Sequence, residues 1–565
     1  MPGHCGSADR HLLSISDYEQ LTNFADSATA PSLSPDGRTV AFIRGGTPFL
    51  TRSGQIWVKQ LPNGEAVQLT NDRQPKLAPA FTPDGARVAY TLRQSGAAEG
   101  WNTWTVPVSG GQPTRMLPNA AALTWIDDRH ILFSEILPNS SIHMALKTST
   151  QNRAEARSVY VPAHERGMAH YSYISPDRAS VLVVEMTATG AWGPCRLVPF
   201  DGSSAGRQVG PAGECRSAGW SPDGRWMYFS ALVDGVSHLW RQRFPNGAPE
   251  PLTSGSATEE EGVAVAPDGA SLITSVGRRQ SSVWLHDPRG ERLLSAEGFA
   301  FDPTLSADGA RVYYLLRRTG TAGAVELTMV DIASGRTDRL LPDFSVLDYD
   351  ISRDERQVVF TTTGGDGERQ VWMSSLDRRS APRQIARQGD QALFVDSGRI
   401  VFRSLEGHVN FINRISADGK TRERVTSQSI VELRAVSPDG RWLVAMGARG
   451  DNLARTMTIP VDGGSPRLIC DDSCRTAWSP DGRRFFLWKG FFSGRRPLVV
   501  APIPAGQTFP EFPAGDDPTF EAWAKVPGAE TAEQDDFVPS TDPGTFVFTK
   551  SDELRNLFRI PLAGR

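Results

Sequence analysis

The chain has 565 residues, with 60 Lys+Arg against 64 Asp+Glu and a net charge of −4, which excludes the cationic excess that a nucleic-acid or anionic-membrane surface needs. Hydrophobic residues make up 39% of the chain, with 14 Trp and 26 Phe, so wholesale disorder is excluded as well. The 53 Gly and 40 Pro call for many turns.

The opening stretch, MPGHCGSADRHLLSIS, lacks the apolar core of roughly 7–15 residues that a secretory signal carries. No run approaches the ~18 consecutive apolar residues of a membrane-spanning helix. The chain as written is therefore expected to be soluble and not inserted in a membrane. Residues 18–23, YEQLTN, read as a short strand.

From there a repeat takes over. Ser34-Pro35-Asp36-Gly37 is followed by RTVAFIR, and Thr82-Pro83-Asp84-Gly85 by ARVAYTL. The same turn recurs at Ser221, Ala266, Ser437 and Ser479, with weaker copies at Trp125, Ser175, Ser306, Ser352, Phe394 and Ser540. These twelve copies lie 46 residues apart on average. In each, a short apolar strand precedes the turn. Pro presets φ, Asp takes nearby amides and Gly supplies a positive φ. A second strand with apolar residues at period 2 follows, as in Val40 and Phe42. A third strand often carries Trp, as in QIWVKQL and HLWRQRF, and a short fourth strand closes the unit.

Four antiparallel strands per ~45 residues define the blade of a β-propeller. A fixed period of this length is not expected of a sandwich, and helical repeats would show period 3.6. The fold class is therefore all-β, with tandem propellers of twelve four-stranded blades. Twelve exceed one ordinary ring of roughly 4–8 blades, so two rings of six are expected. The division falls near residue 297: a tail at 1–17, a first ring at 18–297 and a second at 298–565. The second ring carries an insertion at about 501–537, where Asp517 and Pro518 read as the N-cap and first position of a short helix. The last copy stops at a third strand, 556–560, and 18–23 is the orphan fourth strand that would close it and hide both sheet edges.

Cysteine use leaves two readings open. Cys195 and Cys215 flank one hairpin-like segment, Cys470 and Cys474 form a C-x3-C, and Cys5 is odd. They are either unpaired small residues or two disulfides that require an oxidising compartment. No further Cys or His stands at zinc spacing from either pair.

Candidate site residues come from loops leading into first strands, which border a propeller's central channel. His164, Glu165, Arg166, His170 and Tyr171 open the fourth blade, where they could grip a peptide end or an anion. The plainer reading is a solvated loop with hydrogen-bonded His. Glu259, Glu260 and Glu261 open the sixth blade and favour a cation, an amine or an arginine partner such as Arg166; the plainer reading is a solvated charge run. Gly202-Ser203-Ser204-Ala205-Gly206 fits G-x-S-x-G, but both flanks read as strands rather than the strand and helix of a nucleophile elbow.

These blades resemble the WD-repeat-like repeats of TolB proteins and the propellers of the prolyl oligopeptidase family and the tricorn protease. Segments such as LTNFADSATAPSLSPDGRTVAFIRG, AHERGMAHYSYISPDR, TEEEGVAVAPDGASLITSVG and RNLFRIPLAG resemble the propeller halves of acidobacterial serine/threonine kinases. That likeness implies an outward-facing sensor or binding propeller. The kinase motifs themselves, a Gly-rich loop with V-A-I-K, H-R-D and D-F-G, are not in the sequence, so kinase activity is not carried over. The expected function is non-catalytic recognition of a protein or peptide partner through propeller faces, with no cofactor, no metal and no nucleic acid. The rival expectations are a propeller-pore hydrolase or lyase, metal-assisted in some cases, and a fragment of a kinase or regulator that has lost its effector domain.

Overall fold

In the computed structural model, residues 12–562 are described apart from 46–53, 73, 94–100, 139–142, 165–166, 188–190, 234, 256–258, 296–297, 319–323, 366, 407–408, 450–452, 472, 490–495, 516–517, 535–536 and 543. The repeated turn is built by one set of bonds. The Ser34 hydroxyl donates to Asp36 Oδ1 at 2.6 Å and accepts from the Thr39 amide at 2.9 Å, while Asp36 also accepts from the Arg38 amide at 3.0 Å. Gly37 follows at φ 70, and the bond from Ser34 leads the influences that hold the Asp36 carboxyl below the usual range. The same set recurs at Thr82, Ser175, Ser221, Ser306, Ser352, Ser437 and Ser479. In the weaker copies Asp127, Asp396 and Asp542 take the amide two residues on.

Each turn joins the first two strands of a four-stranded antiparallel blade. Blade one contains Ala28–Leu33, Thr39–Arg44, Gln55–Gln60 and Ala66–Gln68. Blades two to five span 76–117, 121–160, 168–208 and 214–251, and blades seven to eleven span 299–339, 348–387, 389–424, 430–470 and 474–534. The second strands do not alternate as the sequence suggests. Val40, Ala41, Phe42 and Ile43 are all buried, because a blade's central strand is covered on both faces by its neighbours. Among the described residues, twelve apolar clusters lie one between each pair of adjacent blades. They close two rings of six: blade six meets blade one through Ile273 and Leu557 against Ala28 and Phe42, and blade twelve meets blade seven through Val283 and Val547 against Ala300 and Tyr314.

Blades six and twelve are composite. Ser271–Asp287 and Phe546–Pro561 run antiparallel over sixteen register pairs, from Ser271 opposite Pro561 to His286 opposite Phe546. At one end of this ribbon, 271–277 and 555–561 are the second and third strands of blade six, between Glu259–Val265 and Glu19–Gln20. At the other end their roles are exchanged: 546–549 is the second strand of blade twelve and 281–287 the third, between Phe537–Pro539 and Gly290–Leu293. The cut expected near 297 therefore does not separate two self-contained stretches. Each ring contains a strand from the other half of the chain, and the repeat pattern of one strand cannot report which edge it pairs with.

The insertion is shorter than expected, running from 503 to 529 between Arg496–Pro502 and Glu530–Gln534. Its helix, Phe520–Trp523, is capped by the Thr519 hydroxyl, which accepts from the Ala522 amide at 3.2 Å. Asp517, the expected cap, lies outside the described residues. Phe509, Phe520 and Trp523 pack against blades ten and eleven. The Trp523 indole donates to the Ile469 carbonyl at 2.5 Å, and the Asp471 amide donates to the Pro518 carbonyl at 3.2 Å, so the insertion covers the outer edge of blade ten.

Both cysteine pairs are disulfides. Cys195–Cys215 ties blade four to blade five, and Cys470–Cys474 ties blade ten to blade eleven. Cys5 lies outside the described residues. Gly202 and Gly206 lie in a hairpin connection between Arg196–Pro199 and Arg207–Gln208, with no helix after Ser204.

Two predictions follow from this architecture. Residues 1–297 produced alone lack the third strand of blade six and should show no cooperative thermal transition, whereas co-production with 298–565 should restore one. A cooperative transition of the isolated 1–297 piece at the full-length temperature would refute the exchange of strands. Separately, the Cys195→Ala/Cys215→Ala double variant should lose about 3 kcal/mol in denaturant unfolding, the value for a closed loop of this size. Cys470→Ala/Cys474→Ala should lose less, because its loop spans 4 residues rather than 20.

Candidate functional site in the channel of the first ring

The first strand of every blade in ring one faces the axis, and the six enclose a cavity of about 390 Å³. These strands are bulged: pairing slips between Thr29 and Ser32, Leu77 and Ala80, Ala121 and Thr124, and Glu261 and Ala264. The residue inside each bulge is left-handed, namely Ala30 (φ 51), Ala78 (φ 46), Ala122 (φ 49) and Gly262 (φ 97). Small side chains suit this layer because six backbones converge there. At Gly262 a Cβ would stand 2.9 Å from Cδ of Pro31, so that strand approaches blade one only as glycine. Bulges re-aim side chains beside sites, and here the wall is mostly apolar, with Pro31, Ala78, Ala122, Tyr171, Tyr173 and Val263.

The charged groups that line this cavity are Arg216 and Glu261. Strand alternation sends Glu260 and Glu261 to opposite sides. Glu260 is buried in the framework, where its carboxylate accepts from the Tyr18 and Thr253 hydroxyls and from the Leu239 amide at 3.2 Å, with His238 Nδ1 at 3.4 Å. Burial first, and the Glu260 charge second, drive the Tyr18 hydroxyl pKa upward. Glu261 faces the channel with 14% of its side chain exposed. Its nearest cations are Arg555 Nη2 at 3.6 Å and Arg216 Nη1 at 3.9 Å. Each of those arginines has a closer acid: Arg216 donates to Glu214 at 3.2 Å, and Arg555 to Glu553 at 2.5 Å.

The other expected residues separate in the same way. Tyr171 is half-buried and lines the channel, its ring stacked on Trp192 at 6.2 Å and 18°. Burial, followed by Tyr173 and Glu261, raises its hydroxyl pKa. His170 is buried, 5.2 Å from Trp192 and 6.3 Å from Trp101, and burial pulls its pKa down to about 3, so the ring is neutral at ordinary pH. His164 is half-buried in the preceding loop, where its carbonyl accepts from the Gly167 amide at 2.8 Å. Glu165, Arg166 and the Glu259 side chain lie outside the described residues. Arg216, Tyr173 and Arg555 escaped the sequence reading. Arg216 and Glu261 stand at the same distance before their turns at Ser221 and Ala266, so alignment on the turns exposes the first, whereas only the strand exchange brings Arg555 here.

Ring two is organised differently. Its first-strand polar groups are bonded, within their own blade and to the blades on either side. Asp390 receives Arg403 at 2.6 and 2.7 Å and Arg369 at 2.5 Å; although burial opposes it, Arg403 and Arg369 hold its carboxyl low. Arg403 also reaches the Val431 carbonyl, Arg434 reaches the Cys474 carbonyl, and Gln391 accepts from the Leu433 amide at 2.9 Å. Asp348 accepts from the Gln391 amide at 3.2 Å and Asp350 from the Phe394 amide at 2.8 Å. Burial lifts their carboxyls to about 6 and about 7.

No protein-family model matches the chain, and no curated protein matches it. Among solved structures, it is similar to a TolB protein from Agrobacterium tumefaciens at 17% identity, over 49% of this chain and 99% of that one, with a TM-score of 0.35. It is similar to the tricorn protease at 12% identity, over 94% of this chain and 62% of that one, with a TM-score of 0.34. A puromycin hydrolase matches at 14% identity, over 61% of this chain and 58% of that one, with a TM-score of 0.31. The chain's own blades make it a tandem β-propeller protein, and among the described residues no helix is long and apolar enough to cross a membrane.

The raised carboxyls of ring two fix a sign. A carboxyl whose folded pKa exceeds its unfolded value of about 3.9 stabilises most at low pH, and that contribution fades as pH rises through the folded pKa. With Asp350 at about 7, ring two should lose thermal stability between pH 5 and pH 8. Asp350→Asn keeps an acceptor for the Phe394 amide and should flatten that slope by several degrees in a pH series of melting curves. An unchanged slope would refute the assignment.

Proposed function

We propose that this protein is a non-catalytic binding propeller that takes a peptide segment of a partner protein into the channel of ring one. The observation that carries this reading is the contrast between the two axes. In ring two the Gln391, Arg403 and Arg434 groups bond across to the next blade, whereas ring one keeps a cavity of about 390 Å³ with an apolar wall and few polar groups, the usual form of a ligand site. A sensor role of the kind implied by the likeness to kinase-linked propellers is part of the same proposal, and so is a non-enzymatic role. The two disulfides support residence in an oxidising compartment.

The test is selection of a phage-displayed heptapeptide library on the full chain, followed by binding of enriched peptides to wild type and to Ala80→Trp. Ala80 lines the channel, and the larger ring should fill it. Enriched peptides should bind wild type, lose at least tenfold on Ala80→Trp at an unchanged melting temperature, and remain intact by mass spectrometry. Equal binding to both proteins, no enrichment, or cleaved peptide would overturn the reading.

A further inference from the structure

We propose that the channel of ring one contains a subsite for a basic side chain, lysine or arginine, held by the Glu261 carboxylate against the face of Tyr171. The inference rests on the peptide-binding reading above and names the chemistry it selects. A carboxylate only accepts, and it offers about four lone-pair sites. Glu261 receives no hydrogen bond among the described residues, since its two cation contacts, at 3.6 and 3.9 Å, are longer than a hydrogen bond. Its neighbour Glu260 is saturated by contrast. A ligand that completes Glu261 must therefore bring N–H or O–H donors, and a carboxylate binds charged N–H donors most strongly.

Local charge points the same way. Glu214, Glu261 and Glu553 outnumber Arg216 and Arg555, and both arginines are engaged by the other two acids. Arg279, whose charge also reaches Glu553, places its guanidinium over Phe299 of blade seven, 4.8 Å from the ring. Tyr171 is half-buried, lines the same cavity as Glu261 and is backed by Trp192, which gives an aromatic surface of the kind that attracts cations. His170 is neutral at ordinary pH and adds no competing charge. The adjacent apolar wall accepts the methylene stem of a long basic side chain.

The experiment is calorimetric titration of the full chain with four N-acetylated, C-amidated pentapeptides, Gly-Gly-X-Gly-Gly, where X is lysine, arginine, citrulline or glutamate. Lysine or arginine should bind at least tenfold tighter than citrulline, the neutral shape-match of arginine, and their relative affinities identify which base is preferred. Glu261→Gln should erase the preference of arginine over citrulline. Tyr171→Leu should weaken the cationic peptides at least threefold, and it carries the test if Glu261→Gln does not fold. Equal binding of arginine and citrulline, or preference for glutamate, would overturn the basic subsite, while loss of that binding in Ala80→Trp would leave the channel reading standing. No binding of any peptide at millimolar concentration would overturn both.

Discussion

The sixteen-pair ladder between Ser271–Asp287 and Phe546–Pro561 is the contact on which the rest of the molecule depends. It is the middle of two blades at once. Each of its strands is second in one blade and third in the other, so neither ring has a complete set of sheets without it. The Glu19–Gln20 strand then covers the remaining edge at Phe558 and Arg559, with Arg559 paired to Glu19 at 2.7 Å. An open edge at either place would present unpaired amides and carbonyls. The same ladder delivers Arg555 to the channel of ring one, so the electrostatics of the candidate site derive from the device that joins the rings.

Within each blade the forces are ordinary and repeated. A serine or threonine hydroxyl and an aspartate fix the turn, two buried central strands supply the hydrophobic interface, and the third-strand Trp residues, Trp57 and Trp240 among them, are half-buried against neighbouring material. A turn bond of this kind is worth about 0.5–1.5 kcal/mol, whereas a fully buried Phe side chain contributes about 1.5–3 kcal/mol relative to exposure. The turns therefore set register, and the interfaces set stability. The two axes then diverge by side-chain choice at one structural layer. Ala30, Ala78 and Ala122 leave room in ring one; Asp390, through Arg369, and Gln391, through the Leu433 amide, link neighbouring blades of ring two.

Much of this was legible in the sequence, because the repeat repeats its cause. Pro-Asp-Gly with its upstream serine dictates the same local geometry wherever it occurs, so blade number and strand order follow from it. The pairing of 18–23 with 556–560 was legible and is present as Glu19–Gln20 against Phe558 and Arg559, but the exchange of strands between the rings stayed hidden. The residues of 281–287 carry the third-strand pattern, VWLHD, whichever second strand lies beside them, and nothing local in it marks Phe546–Pro561 as its partner. For the site, Tyr171 and Glu261 were visible as first-strand residues. His170 and Glu260, one position away from each, were not separable from them, since the bulges shift which residue turns inward. The expected cap at Asp517 moved to Thr519 because Phe520 and Trp523 are anchored by blades ten and eleven.

The shared ladder also sets an order of events during synthesis. A chain emerging from the ribosome can complete blades one to five as it lengthens, but blade six must wait for 555–561, which are made only after blades seven to eleven. Ring one therefore stays an open arc, with the 271–277 strand lacking its third-strand partner, throughout translation of blades seven to eleven. The two rings close within the same step, when the Phe546–Pro561 strand threads its pairing along both blades. A nascent chain of this design exposes its most vulnerable sheet edge for the longest time, which makes the closing strand the natural point for a chaperone to act.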